Sequence, residues 1–268
     1  MNIPQFKKII WNHYKKNKRI FPWRKTKDPY KILVSEIMLQ QTQAPRVVSK
    51  YLSFIKKFPN IKSLTKASLS EVLREWQGLG YNRRAKYLKS CAEIVVKKYD
   101  GKFPKDFNML VELPGIGLAT AGDLMAFAWN MPVTVIETNI RSVFIHCFFP
   151  KESEQRKIHD KEIIPLIEKT LDTKNPREWY SALMDYGAYL KETSNPSRKS
   201  AHYLKQSAFK GSNREKRSKI LKPILEKPRT GKEISEFLGY TKEITDKNIQ
   251  SLIKEGMIIL KNKKLHIK

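Results

Sequence analysis

The stretch "KILVSEIMLQQTQ", residues 31–43, sets one carboxylate, Glu36, among Ile, Leu, Val and Met, with the amides Gln40 and Gln41 close behind. An apolar setting disfavours ionisation, which suits a carboxyl that must hold a proton near neutral pH and pass it on as a general acid. The plainer alternative is a buried Glu paired with an Arg or Lys, and the stretch alone leaves both open. A second carboxylate, Glu137, lies in "VIETNIRSV" (135–143), just ahead of a helical pattern. A third stretch, "LPGIGLATAG" (113–122), joins two helical patterns through Gly115 and Gly117. Two glycines there permit positive φ and close backbone approach. Hairpin N–H groups and a helix N-terminus can then point at one phosphate, a contact that anchors a duplex without reading its sequence.

Charge says what kind of partner such residues would meet. Lys and Arg number 53 against 26 Asp and Glu, a net +27 at pH 7. An excess of that size predicts a polyanionic partner, and nucleic acid is the commonest soluble one. Cys91 and Cys147 stand apart, with no C-x-x-C spacing, so neither a disulfide framework nor a zinc site is expected. The opening "MNIPQFKKIIWNHYKK" lacks the marks of a signal peptide, and no apolar run has membrane-spanning length, so a cytoplasmic, nucleoid-associated protein is expected.

Helices must position these groups. Apolar periodicity predicts helices over 4–18, 29–40, 44–57, 69–77, 83–99, 105–112, 118–129, 138–147, 156–171 and 176–190, an all-α body ending near residue 190. A basic linker is expected over 191–212. Residues 213–268 then read as three helices and two short strands around Asn262-Lys263, the order of a winged helix-turn-helix whose third helix would be the major-groove reader.

Five stretches carry a resemblance: "FPWRKTKDPYKILVSEIMLQQTQ" (21–43), "LREWQGLGYNRRAKYL" (73–88), "LPGIGLATAG", "VIETNIRSV" and "ALMDYGA" (182–188). In that order and spacing the chain resembles the helix-hairpin-helix (HhH-GPD) DNA glycosylases, most nearly the MutY-type adenine glycosylases. The resemblance implies an all-α body of two helical lobes over residues 1–190. It makes Glu36 the acid that protonates N7 of a flipped adenine, and Glu137 the carboxylate that balances the sugar cation. Trp23, Arg24, Leu39, Ala119 and Asp185 fall at base-pocket positions, Asp185 near the exocyclic edge of the base. Gln40, Gln41 and Tyr81 fall at positions that wedge into the duplex. Leu113, Gly115, Gly117, Ala119 and Thr120 fall at the phosphate-holding hairpin, whose carbonyls would also hold a monovalent cation. Asn139 matches a residue that caps the following helix.

Departures qualify the likeness. The family's "DGN" reads "ETN" here; the added methylene shifts the charge by about 1 Å, enough to cost on the order of 100-fold in rate if uncorrected. Ala119 replaces the lysine of bifunctional relatives and the hydroxyl residue of adenine-specific ones, so no Schiff base can form there and a monofunctional enzyme is expected. The four cysteines that hold an iron–sulfur cluster in most MutY-like proteins have no counterpart in 191–212, so no cluster is expected. Residues 213–268 do not match the family's 8-oxoguanine-recognition domain. The expected function is excision of adenine from a mispair with G or 8-oxoguanine by a monomer acting on double-stranded DNA. A glycosylase for T or U opposite G, or for hypoxanthine, and a non-catalytic DNA-binding protein are the alternatives.

Overall fold

The computed structural model describes residues 1–150, 152 and 155–268. Among them the α-helices are α1 Ile3–Asn17, α2 Pro29–Leu39, α3 Ala44–Lys57, α4 Ile61–Lys66, α5 Leu69–Trp76, α6 Arg83–Tyr99, α7 Phe107–Val111, α8 Leu118–Trp129, α9 Thr138–Phe148, α10 Asp160–Thr170, α11 Pro176–Thr193, α12 Asn213–Glu226, α13 Gly231–Leu238 and α14 Lys242–Lys254. A hairpin of β1 Ile258–Lys261 and β2 Lys264–Ile267 follows, with Ile258 opposite Ile267 and Lys261 opposite Lys264. Its two turn residues, Asn262 and Lys263, both take positive φ, as a tight two-residue hairpin turn requires. No helix among the described residues is long and apolar enough to cross a membrane.

The helices form where side chains stop them as well as where apolar residues recur. Ser68 and Glu71 make a reciprocal capping box at the start of α5, and Thr230 and Glu233 repeat it on α13. The six-residue α4 escapes a periodicity reading because it offers under two turns of pattern; its start is set by Asn60, which accepts from the Ser63 N–H. Helix α10 begins at Asp160 and not at 156, because Glu162 reaches back to the His159 N–H at 3.0 Å. The stretch expected as linker starts inside α11, which runs to Thr193, and continues through a short 3₁₀ turn, Pro196–Lys199. That turn is tied down by a parallel bridge between Ile158 and Ser200.

Two compact units result. One comprises Met1–Leu33, Lys105–Glu112 and Ile116–Lys205. Its core joins Phe6 and Ile10 of α1 to Ile140, Val143 and Phe144 of α9 and to Trp179 and Leu183 of α11. The Phe6 ring packs 5.1 Å from Phe144 and edge-on, 6.0 Å away, against Trp179. The other comprises Val34–Pro104, Leu113–Gly115 and Gln206–Lys268. There Phe54 meets Trp76 edge-on at 5.9 Å, and Ile37, Met38, Leu73, Leu88 and Val95 are fully or almost fully buried. Within this unit the C-terminal segment touches α5 and α6 through polar bonds, Arg74 Nη2 to Leu225 O at 2.7 Å and Lys86 Nζ to Glu255 O at 2.6 Å.

Candidate active site

Glu36 lies on α2, half-buried, between the fully buried Ser35 and Ile37. The helix ends three residues on, and Gln41 turns the chain with a φ of +54°. A helix end leaves carbonyls without intrahelical partners. Arg84 supplies them: its Nη1 donates to Ile37 O at 2.9 Å, to Met38 O at 3.0 Å, and to Gln40 O. Its Nη2 donates to Leu79 O, Gly80 O and Thr42 Oγ1 at 3.1–3.3 Å. A guanidinium at a helix C-terminus also meets the negative end of the helix dipole. Burial pulls the Arg84 pKa down to about 10, so it remains a cation at neutral pH. Its plane stands 5.3 Å from the Tyr81 ring centroid and 5.6 Å from that of Trp76. One buried cation therefore joins the helix of Glu36, the Gln40–Gln41 turn and the loop of Tyr81. Gln40 is half-buried and its amide reaches Gly115 O at 3.4 Å; Gln41 is exposed and Leu39 is half-buried. Spacing alone does not single Arg84 out. The signal available was two arginines in the first turn of a helix, where the dipole favours acids.

The hairpin joins α7 to α8. Gly115 has φ +81°, and a Cβ there would stand 2.9 Å from the Tyr87 Cβ, so both conformation and space call for glycine. Gly117 differs from the expectation of positive φ: at φ −96° and ψ −179° it is extended, and it serves as the N-cap of α8 with no capping side chain. That leaves the first N–H groups of α8 without side-chain caps. Leu113 and Thr120 are buried and Ala119 half-buried, so what these residues can offer a phosphate is mainly backbone. Gly115 O accepts from Gln40 Nε2, and Gly117 O accepts from the Ala121 N–H at 2.9 Å.

In the first unit, Glu137 is the N-cap of α9. With an extended backbone, φ −141° and ψ 179°, its longer side chain folds back on the helix. Oε1 accepts from Asn139 N at 2.8 Å and Ile140 N at 3.0 Å, and Oε2 from Asn139 Nδ2 at 3.2 Å. The expected cap, Asn139, thus acts as donor to the true cap, Glu137, whose extended backbone stands just outside the helix. Burial pushes the Glu137 carboxyl up from its ordinary range, against the pull of those N–H groups and of Arg141.

Trp23 is buried and stacks on Phe21, centroids 4.8 Å apart and planes 7° from parallel. Asp185 is 2% exposed. Arg24 grips it bidentately, both bonds at 2.8 Å, and Arg19 adds its Nε at 2.6 Å and its backbone N–H at 3.0 Å. Burial alone would raise the Asp185 pKa; Arg24 and then Arg19 hold it below the usual carboxylate range. Asp185 and Arg24, expected along the base pocket, hold each other. The carboxylate fixes two arginines from residues 19–24 onto α11, and its oxygens are engaged in doing so.

The two cysteines lie one in each unit, Cys91 on α6 and Cys147 on α9, buried and free, with burial pushing each thiol up to about 12. An iron–sulfur cluster needs four thiolates, and these residues do not fit one. Among the described residues no group of three or more His, Cys, Asp or Glu could hold a metal ion. The sequence candidates thus fall into two sets: Glu36, Leu39, Gln40, Gln41, Tyr81, Leu113 and Gly115 in one unit, and Trp23, Arg24, Gly117, Ala119, Thr120, Glu137, Asn139 and Asp185 in the other.

A family model described as the HhH-GPD superfamily of base excision DNA repair proteins matches residues 34–169. An adenine DNA glycosylase of Buchnera aphidicola subsp. Baizongia pistaciae is 38% identical over 192 residues, 70% of this chain and 53% of that protein. The chain spans about half the length of the adenine DNA glycosylases it matches. A thymine/uracil-DNA glycosylase of Methanothermobacter thermautotrophicus is 30% identical over 69% of this chain and 84% of its own. The solved structure of a thermostable thymine-DNA glycosylase is similar at a TM-score of 0.64 and 27% identity, over 73% of this chain and 90% of that one.

Proposed function

The chain belongs to the HhH-GPD superfamily of base excision DNA repair proteins, and we propose that it is a monofunctional DNA glycosylase that removes adenine mispaired with G or 8-oxoguanine. The observation that carries the reading is Arg84, which ties the helix of Glu36 to the loop of Tyr81 in one buried cation site. An enzyme acting on a stacked base must open the duplex and protonate the base in register, and a shared anchor supplies that register.

In this reading the backbone N–H groups at the start of α8 hold a backbone phosphate; the carbonyls of the Leu113–Gly117 turn would hold a monovalent cation, which would supply positive charge beside that phosphate. Tyr81 and Gln41 enter the stack as the target nucleotide leaves it. Glu36 donates its proton to N7 of adenine, which makes the purine a leaving group. As the C1′–N9 bond breaks, positive charge grows on the sugar, and Glu137 balances it, held in place by Asn139 and Ile140. Water then adds at C1′, leaving an abasic site and free adenine. The paired carboxylates parallel those of glycosidases, which cleave a related bond. Ala119 has no amine, so the reaction ends at the abasic site. Residues 213–268 act as a winged-helix segment with α14 along the duplex, in keeping with the +27 charge.

Identity favours adenine, 38% against 30%; coverage favours the thymine/uracil relative, 84% of whose length is matched. The second reading, excision of T or U opposite G, rests on that coverage. A panel of duplexes with A:8-oxoG, A:G, T:G, U:G and hypoxanthine:T decides, scored by the free base and by alkali-labile sites. Adenine released from the first two, no strand cut without alkali, and no release by Glu36→Gln are the expected results. Silence across the panel would leave only a DNA-binding protein.

A further inference from the structure

Tyr81 is held by its backbone, its ring and its hydroxyl. Its backbone sits at φ +47°, which a bulky residue adopts only where its surroundings hold it. The Arg84 guanidinium stands 5.3 Å from the Tyr81 ring centroid and that of Arg214 4.8 Å from it. The hydroxyl accepts from Gln206 Nε2 at 2.6 Å and from Arg214 Nη1. Arg214 is itself fixed: its Nη2 donates to Ser207 O at 2.6 Å and Ser207 Oγ at 3.2 Å, and it lies in the first turn of α12. Arg217, one turn on, pairs with Glu255 and donates to Ser251 Oγ at 3.3 Å, joining α12 to α14. Beside Tyr81 is a cavity of about 480 Å³ whose lining includes Arg83, Tyr87, Arg214, Arg217 and Ser218. Gln206 and Arg214 stand beyond residue 169, where the family match ends.

We propose that Arg214 and Gln206 are positioning residues for Tyr81, so that the segment after residue 205 is a working part of the device that opens a mispaired duplex. The inference rests on the reading of Tyr81 as the wedge. With two guanidinium groups against its ring and its hydroxyl doubly bonded, the phenol keeps one posture before DNA arrives. Less ordering is then required when it enters the stack, and that saving appears in the opening step and not in the initial electrostatic capture.

The test uses the full chain on a mispaired duplex with 2-aminopurine beside the target base, read by fluorescence on opening and by single-turnover base release, with the Kd for matched duplex measured alongside. Arg214→Ala and Tyr81→Phe should each slow opening about tenfold, the scale of one lost charge-assisted hydrogen bond. The double variant should be slower than either single by less than the product of the two effects, because both remove the bond between Arg214 and the Tyr81 hydroxyl. Gln206→Leu, at an exposed position with little bearing on folding, should slow opening by a smaller factor, and Arg214→Lys should restore only part of the loss. Additive effects, or equal loss on matched and mispaired duplexes with full rescue by Arg214→Lys, would reduce Arg214 to a phosphate contact and overturn the proposal. Tyr81→Ala separates the two layers. If it opens DNA normally, the wedge reading itself fails; if it is defective while Arg214→Ala, Gln206→Leu and Tyr81→Phe behave as wild type, only the present inference fails.

Discussion

Gly187 on α11 lies directly against Asn139 on α9: a Cβ at Gly187 would stand 2.3 Å from the Asn139 carbonyl oxygen and 2.6 Å from its Cβ. No side-chain rotation relieves a clash with backbone. Because Asn139 donates to Glu137, the glycine lets α11 press on the residue that holds the second carboxylate. Gly187→Ala should therefore cost about 1–3 kcal/mol of stability, as overpacking does, and reduce base release beyond what unfolding accounts for. Thermal unfolding and single-turnover rates check this; an unchanged Tm would show that the two helices can part without strain.

Asp185 should make stability pH-dependent in a defined direction. Its folded pKa lies below the ordinary value, so its contribution is complete above the unfolded Asp pKa of about 3.9 and disappears as pH falls through the lower, folded value. Asp185→Asn should cost about 3–5 kcal/mol at pH 7, because two arginines lose a buried partner. The gap between variant and wild type should close as pH drops below about 4. Urea midpoints at pH 7 and pH 3 measure it, and a gap that stays constant would mean the carboxylate's charge is not what holds Arg19 and Arg24.

Glu137→Gln keeps an oxygen for the two N–H groups of α9, so folding should change by less than about 1 kcal/mol. Base release should fall about 100-fold or more, the scale of losing one preorganised electrostatic contact to a developing charge. Because burial raises the Glu137 pKa, wild-type activity should fall on acidification from a pH above the ordinary Glu value of about 4.3. The variant should lack that limb. A pH–rate profile with the same acidic limb in both proteins would assign it to another group.

Arg84→Lys should be far from conservative. Lysine offers three donors from one atom, whereas Arg84 reaches carbonyls of residues 37, 38, 40, 79 and 80 through two nitrogens. Carbonyls left unpaired cost about 1–3 kcal/mol each where water cannot reach them. The variant should melt several degrees lower and bind matched and mispaired duplexes with nearly equal Kd. Full selectivity in a folded Arg84→Lys protein would mean that Glu36 and Tyr81 need no common anchor.

Much of this was readable from residue order. Helix α6 begins and ends where apolar spacing predicts, over 83–99, and α2 ends one residue early. Gly115 announced the turn. Such features depend on contacts within about four residues along the chain, so the sequence states them nearly directly. Partners at long range it could not state. Arg84 reaches Ile37 across 47 positions and Arg24 reaches Asp185 across 161, and the choice of Glu137 over Asn139 as the α9 cap follows from an extended backbone at one residue. Which buried donor meets which acceptor is decided only when distant segments pack, since water satisfies each of them until it is excluded. The tertiary structure therefore assigned Arg84, Arg19 and Gly187 their parts, while the sequence alone had already placed Glu36 on its apolar helix.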